Sequence, residues 1–185
     1  CIRAGSKLDA DSWAVRTDRV STLRTLLRGA AGDATAAAAA LDMGPLDLPG
    51  PTGESNRLTL IPRGTVICLG PDPEVLLDQT VQALATGNAV LAVAPDASQT
   101  LAALTDKGLP LVTCDGTLPA TAVTDLTFDA MACTNRALRP QIAARPGPIL
   151  PLITARIDAV AYVHERAVCI DTTAAGGNAT LLAKA

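Results

Sequence analysis

The residues of this chain whose types could do chemistry are few and scattered. The five cysteines are Cys1, Cys68, Cys114, Cys133 and Cys169, and the one histidine is His164. They form no C-x-x-C pair, and a single histidine gives no metal-ligand spacing with them. A thiol becomes a nucleophile when a base or cation lowers its pKa, and Cys133 has neither His nor Lys beside it in sequence. Cys68 and Cys114 fall within apolar runs, where a thiol packs as a small hydrophobe. The reading is of reduced, mostly buried thiols. His164 stands beside Glu165 and Arg166, a setting that favours a surface or partner contact over a catalytic base. Gly70-Pro71-Asp72-Pro73-Glu74 lies where a phosphate cradle would sit, after an apolar run and before a helix. Its prolines lack N–H donors and its carboxylates would repel phosphate. Gly176-Gly177-Asn178 allows either an anion nest or a backbone bend laying the tail on a partner, and the bend is preferred.

The elements that must position these residues follow from periodicity. Trp13, Val20, Leu23 and Leu27 predict an amphipathic helix over residues 12–28, with Arg19, Arg24 and Arg28 on its solvated face and Gly29 as its stop. Asp33 is expected to cap a second helix through the alanine run 36–40, and the Gly- and Pro-rich stretch 44–56 to be a loop. Residues 65–69, 89–93 and 111–114 are short apolar runs without alternation, the pattern of strands buried on both faces. Between the first two, Asp72 suits an N-cap, Pro73 the first helical position and Glu74 the positive end of the dipole, while Gly87 closes the helix. After Pro95, residues 96–99 resemble a capping box. The series β-α-β-α-β implies a parallel sheet with right-handed crossovers. Further on, residues 122–128 are expected to be a strand, 130–144 a helix kinked or restarted at Pro140, and 167–172 a strand.

Composition narrows the function classes. The chain has 185 residues, 49% hydrophobic, with Trp13, Phe128 and Tyr162 as its aromatics, so the core must be aliphatic. Its net charge is −3 and no basic stripe stands out. With almost no stacking residues, nucleic-acid binding is disfavoured. No apolar run approaches the roughly 20 residues of a membrane span. No signal-peptide pattern opens the chain, which begins with Cys rather than Met and is read as a fragment of a cytoplasmic protein.

Three segments carry a family resemblance. Residues 48–56 (LPGPTGESN) with Pro62-Arg63-Gly64 resemble the stretch that precedes the first nucleotide-domain strand in aldehyde dehydrogenases, especially the glutamate-semialdehyde dehydrogenase module of proline-utilisation (PutA) proteins. Residues 83–91 (ALATGNAVL) are similar to the helix-to-strand turn of that superfamily, and residues 165–182 resemble the PutA C-terminal tail. The resemblance runs from Leu48 to the end. It implies an α/β, Rossmann-like parallel sheet with flanking helices, and a division into a helical segment 1–47, an aldehyde-dehydrogenase-like domain 48–164 and a tail 165–185. It marks Gly53, Glu54, Asn56, Gly64, Gly87, Asn88, Glu165, Arg166, Gly176, Gly177 and Asn178 as structural or interaction residues.

The family converts proline to glutamate with an FAD-dependent proline dehydrogenase and an NAD-dependent semialdehyde dehydrogenase. Its longer members carry an additional C-terminal domain thought to help enclose an internal substrate tunnel, and this chain resembles that domain. The superfamily places its catalytic Cys after Gly-Gln and its base in a Glu-Leu-Gly-Gly-Lys segment, and neither pattern occurs here. The ribose-contacting Lys after the second strand is replaced by Ala92-Val93-Ala94-Pro95. The expectation is a structural domain without catalytic residue, cofactor or metal, partnered by the dehydrogenase module of the same polypeptide or a neighbouring protomer, with homo-oligomers allowed. The alternatives are an NAD-binding or dehydrogenase domain, and a self-association module.

Overall fold

A computed structural model describes residues 10–171. In chain order the helices are α1 (Ala10–Ala14), α2 (Arg19–Leu27), α3 (Gly32–Ala39), α4 (Pro73–Ala85), α5 (Ala97–Thr100) and α6 (Arg139–Ala143). The strands are β1 (Leu46–Leu48), β2 (Glu54–Pro62), β3 (Thr65–Cys68), β4 (Ala89–Ala94), β5 (Leu111–Asp115), β6 (Ala130–Ala132), β7 (Leu152–Ile153) and β8 (Val163–Asp171). Among the described residues, 10–41 and Pro62–His164 form one compact unit, and Asp42–Ile61 with 165–171 another.

The larger unit is built on a five-stranded sheet of order β5-β4-β3-β6-β7, parallel throughout. The expected β-α-β-α-β series is β3-α4-β4-α5-β5, and the sheet is α/β and Rossmann-like. Side chains alternate across each strand. Val66, Cys68, Val90, Ala92, Ala130 and Ala132 share one cluster with Trp13, Leu23, Leu76, Leu84 and Tyr162. Ile67, Met131 and Cys133 share the other with Val123, Phe128 and Ile142. Cover on both faces explains why the strands read as unbroken apolar runs.

Helix α4 ends as its sequence suggests. Gly87 has φ +93, its N–H bonds the Leu84 carbonyl at 3.0 Å, and the Asn88 N–H bonds that of Ala83 at 2.9 Å, which is a Schellman closure. The Asn88 side chain is fully buried. Its Oδ1 accepts from the Gly64 N–H at 3.0 Å, and its Nδ2 donates to Ala83 O (3.2 Å), Thr86 Oγ1 (2.9 Å) and Tyr162 O (3.0 Å). Gly64, at φ +125, admits no side chain, since a Cβ there would lie 2.2 Å from Asp129 Oδ2.

The smaller unit holds a three-stranded sheet of order β1-β2-β8, with β1 antiparallel to β2 and Leu46 opposite Leu58. Strand β8, one of its two outer strands, is exposed along nearly its whole length.

Several sequence expectations need correction. The single helix over 12–28 is two, α1 and α2. Between them Arg16 turns onto Asp18 (2.6 Å) and packs over the Trp13 ring, and the Asp18 carbonyl starts α2 by accepting from Thr22 N at 2.9 Å. Arg19 is not part of a solvated face. It is half-buried and donates to Ala85 O (3.0 Å) and Ala14 O (2.7 Å), placing a cation on carbonyls at two helix ends. Asp33 lies inside α3, where Ala31 is the N-cap residue and no side chain caps the helix. The stretch 44–56 is not all loop, since it contains β1 and the start of β2. Residues 122–128 form no strand, because 3₁₀ structure occupies Ala120–Asp125. The start of the 130–144 helix is instead strand β6, hydrogen-bonded in register with β3, and α6 begins only at Arg139 with Pro140 in its first turn.

Asn88→Ala is expected to cost about 3 kcal/mol, because it strands the buried Tyr162 carbonyl and the part-buried Gly64 N–H. Tyr162→Phe, which removes a buried hydroxyl lacking a protein partner, is expected to be neutral or stabilising. Urea unfolding midpoints of the two variants against the parent chain check both expectations.

Candidate functional site

In an open parallel sheet, ligands bind outside the carboxyl ends of the strands where strand order reverses. Here the chain passes from β3 outward to β4 and β5, then returns to place β6 on the other side of β3. The reversal therefore lies at the ends of β3 and β6, beside Leu69–Glu74 and Cys133–Arg136.

The turn after β3 is committed to its own helix. The Gly70 N–H donates to Gln79 Oε1 at 2.9 Å, and a Cβ on Gly70 would sit 2.5 Å from Leu76 N, so the turn lies directly against the first turn of α4. Asp72 is extended and its Oδ1 accepts from Val75 N at 2.9 Å, while its carbonyl accepts from Leu76 N at 3.0 Å. The N–H groups of Gly70, Val75 and Leu76 are thus engaged within the chain, and Asp72 is the N-cap as its sequence position implied.

A cation from elsewhere closes over this helix start. Arg156, beyond β7, contacts Glu74 Oε1 at 2.6 Å and Asp78 Oδ2 at 2.7 Å. These two carboxylates, Glu74 foremost, raise the pKa of its guanidinium. Gln82 fixes the same segment, its Nε2 donating to Arg156 O (2.8 Å) and its Oε1 accepting from Asp158 N (2.7 Å).

The neighbouring strand ends are occupied in the same manner. After β4, Asp96 has φ +55 and makes no side-chain cap, which corrects the capping-box expectation. Asp115, at the end of β5, does the work instead. It accepts from Ser98 N at 2.8 Å and Ser98 Oγ at 2.5 Å, and these bonds lower its carboxyl pKa. After β6, Asn135 Oδ1 takes the Ala137 N–H at 2.9 Å. Asp72, Glu74, Asp96 and Asp115 lend negative charge to these strand ends, which disfavours a pyrophosphate.

No nucleophile is poised among these groups. Cys68 is fully buried in β3, and burial pushes its thiol up to about 12. Cys133, at the end of β6, is also buried and its pKa is raised by desolvation. Cys114 is half-buried and Cys169 exposed, so the thiols are less uniformly buried than expected; all four are free. Among the described residues, no group of His, Cys, Asp and Glu is suited to hold a metal ion.

Of the residues marked from sequence, Gly64, Gly87 and Asn88 come together at the junction of β3, α4 and β4. Gly53, at φ +94, makes the turn into β2, where the Glu54 N–H bonds Pro51 O at 3.1 Å. Asn56 donates to Glu54 Oε2 at 3.4 Å and lies against Gly50, where a Cβ would be 2.5 Å from its Nδ2. Glu165 and Arg166 are exposed on β8. Gly176, Gly177 and Asn178 lie outside the described residues. Sequence reasoning missed Arg156, Asp78, Gln82 and Asp115. Of these only Asp115, polar at the end of an apolar run, left a local signal.

The parallel sheet, its helices and its order of strands define an α/β, Rossmann-like domain, and its fold is similar to that of aldehyde dehydrogenases. An NAD-dependent benzaldehyde dehydrogenase from Corynebacterium glutamicum superposes with a TM-score of 0.56 over 78% of this chain and 43% of that one, at 18% identity. A proline utilization A (PutA) mutant from Bradyrhizobium japonicum superposes with a TM-score of 0.58 over 78% of this chain and 20% of that one, at 25% identity. In sequence, the chain is 37% identical over 147 residues to the bifunctional protein PutA of Escherichia coli strain K12, covering 73% of this chain and 11% of the relative. It is 35% identical over 159 residues to that of Rhizobium meliloti, covering 75% and 12%. The chain is homologous to a part of PutA, and it spans about a tenth of the length of the curated relatives it matches. No family model matches it.

Burial of Cys68 has a pH signature. Its ordinary pKa is 9.0 and its folded value about 12. The unfolded thiol ionises first, so stability is unaffected below pH 9 and falls as pH rises from there towards 12. Cys68→Ala is expected to flatten this alkaline decline in denaturation midpoints measured against pH. In the same chain at mildly alkaline pH, mass-mapped alkylation is expected at Cys169 well before Cys68, which should label only on unfolding.

Proposed function

We propose that this chain is a non-catalytic structural module of a larger proline-catabolic protein. It supports a glutamate-semialdehyde dehydrogenase module, of the same polypeptide or of a neighbouring protomer, and helps enclose a tunnel through which the intermediate passes. FAD and NAD belong to the other modules of that protein, and the setting is the cytoplasm, in keeping with the free thiols. No helix among the described residues is long and apolar enough to cross a membrane.

The observation that carries this reading is the state of the α4 N-terminus. Asp72 takes its donors, and Arg156 bridges Glu74 and Asp78 beside it. A dinucleotide would have to displace carboxylates from a helix end that they already stabilise. The homology to part of a bifunctional protein supplies the context.

A second reading, self-association, has its own support. Strand β8 is one of the two outer strands of its sheet, and Val168 and Ile170 on it are exposed. Strand addition there would use main-chain hydrogen bonds. Sedimentation of a chain truncated before Glu165 tests it, and unchanged behaviour would remove it.

Calorimetric titration of the chain with NAD is expected to give no saturable heat, and clear binding would overturn the structural reading. In the larger protein, deleting this region should leave flavin-dependent proline oxidation intact and lower NADH formation from proline. Unchanged coupled turnover with unchanged oligomer size would contradict it.

A further inference from the structure

A groove of about 410 Å³ lies in the larger unit between α6 and the loop leading into β7. Its apolar lining includes Ile142, Leu150 and Leu152, and Arg139 and Arg145 also line it. Ile149, another lining residue, is fully exposed. A single exposed isoleucine is ordinary on a protein surface, but this one stands at the lip of an apolar groove.

The charged residues that line this groove are both arginines. The chain carries a net −3, yet no Asp or Glu occurs between Asp129 and Asp158, whereas Arg136, Arg139 and Arg145 all fall in that interval. Arg139 is exposed and has no carboxylate within ion-pair distance among the described residues. Arg145 likewise has no carboxylate within ion-pair distance among the described residues, and its guanidinium is stacked 4.4 Å from the Phe128 ring centre and hydrogen-bonded to the Val123 carbonyl. Neither arginine is ion-paired, and Arg145 is fixed in place before any ligand arrives, which reduces the ordering cost of binding.

We propose that this groove docks a short acidic segment of a partner protein. An apolar side chain of that segment seats against Ile142, Leu150 and Leu152, and its carboxylates pair with Arg139 and Arg145. Guanidinium groups suit carboxylates because their planar fork can make paired bonds. A concave apolar seat suits one inserted side chain better than a flat bilayer, and the groove has a single ring nearby, which disfavours stacked bases. The proposal does not depend on whether the chain is a structural module.

The test uses the full chain and a fluorescein-labelled peptide of alternating Glu, Asp and Leu, followed by fluorescence polarisation. Saturable binding that weakens with added salt is expected. Arg139→Glu, which alters an exposed side chain, is expected to weaken it at least about tenfold, because it sets like charges against each other. Ile149→Ser, an independent variant at the lip, is expected to weaken it several-fold, with unfolding midpoints of both variants near that of the parent. Failure of the peptide to bind, equal affinity in both variants, or equal binding of a peptide with Lys in place of its acids would each overturn the proposal. So would binding to phosphatidylserine vesicles that depends on Arg139 when the peptide itself does not bind, since that would assign the groove to lipid.

Discussion

The buried amide of Asn88 is the interaction on which the larger unit depends. Through one side chain it holds the backbone at Gly64, just before β3, the closing turn of α4 at Ala83 and Thr86, and the carbonyl of Tyr162 where the chain leaves the unit. In a low-dielectric interior such a network is favourable only when its members are satisfied, and here both ends of the amide are used. The demands propagate outward. Asn88 requires the N–H of a residue with positive φ at position 64, and Asp129 approaches so closely there that only glycine fits. Gly87 must turn the chain sharply so that Asn88 can face inward.

Helix α4 continues the same logic towards its other end. Its buried polar residues, Asp78, Gln79, Thr80 and Gln82, lie among the core residues Val75, Leu76, Val81, Ala83, Leu84 and Ala85. Gln82 binds the 156–158 segment, Asp78 holds Arg156, and Gln79 reaches back to Gly70. The helix thus serves as a polar spine within an aliphatic core, and its amino end is consumed by the scaffold. An α/β sheet of this kind offers a ligand crevice at its reversal point as a matter of topology. Whether the crevice is available is a matter of side chains, and Asp72, Asp115 and Asn135 each spend local donors on the chain itself.

Legibility in the sequence followed the range of the interactions. Strands β3, β4 and β5 and helix α4 were readable because burial on both faces leaves short apolar runs, and because Asp72, Pro73 and Gly87 act on their immediate neighbours. Strand β6 was misread as part of a helix. Ala130-Met131-Ala132 favours helix locally, and its strand conformation comes from pairing with β3 more than sixty residues away. Strands β1 and β2 were hidden for a related reason, since Gly, Pro and polar residues fill that stretch and only strand partners give it regular form.

The same division applies to the site. By itself the sequence determined that the turn after β3 lacks N–H groups at Pro71 and Pro73 and carries the charge of Asp72 and Glu74, because these are properties of the residues in place. It also marked Gly87 as the close of α4, since helix termination by glycine is a local demand. Only the tertiary structure decided that Arg156 would bridge Glu74 and Asp78, and that Asp115 rather than Asp96 would cap α5. Those bonds join residues from 17 to 82 positions apart. No local spacing rule encodes such pairs, because the parallel sheet brings them together only after its strands have found their order.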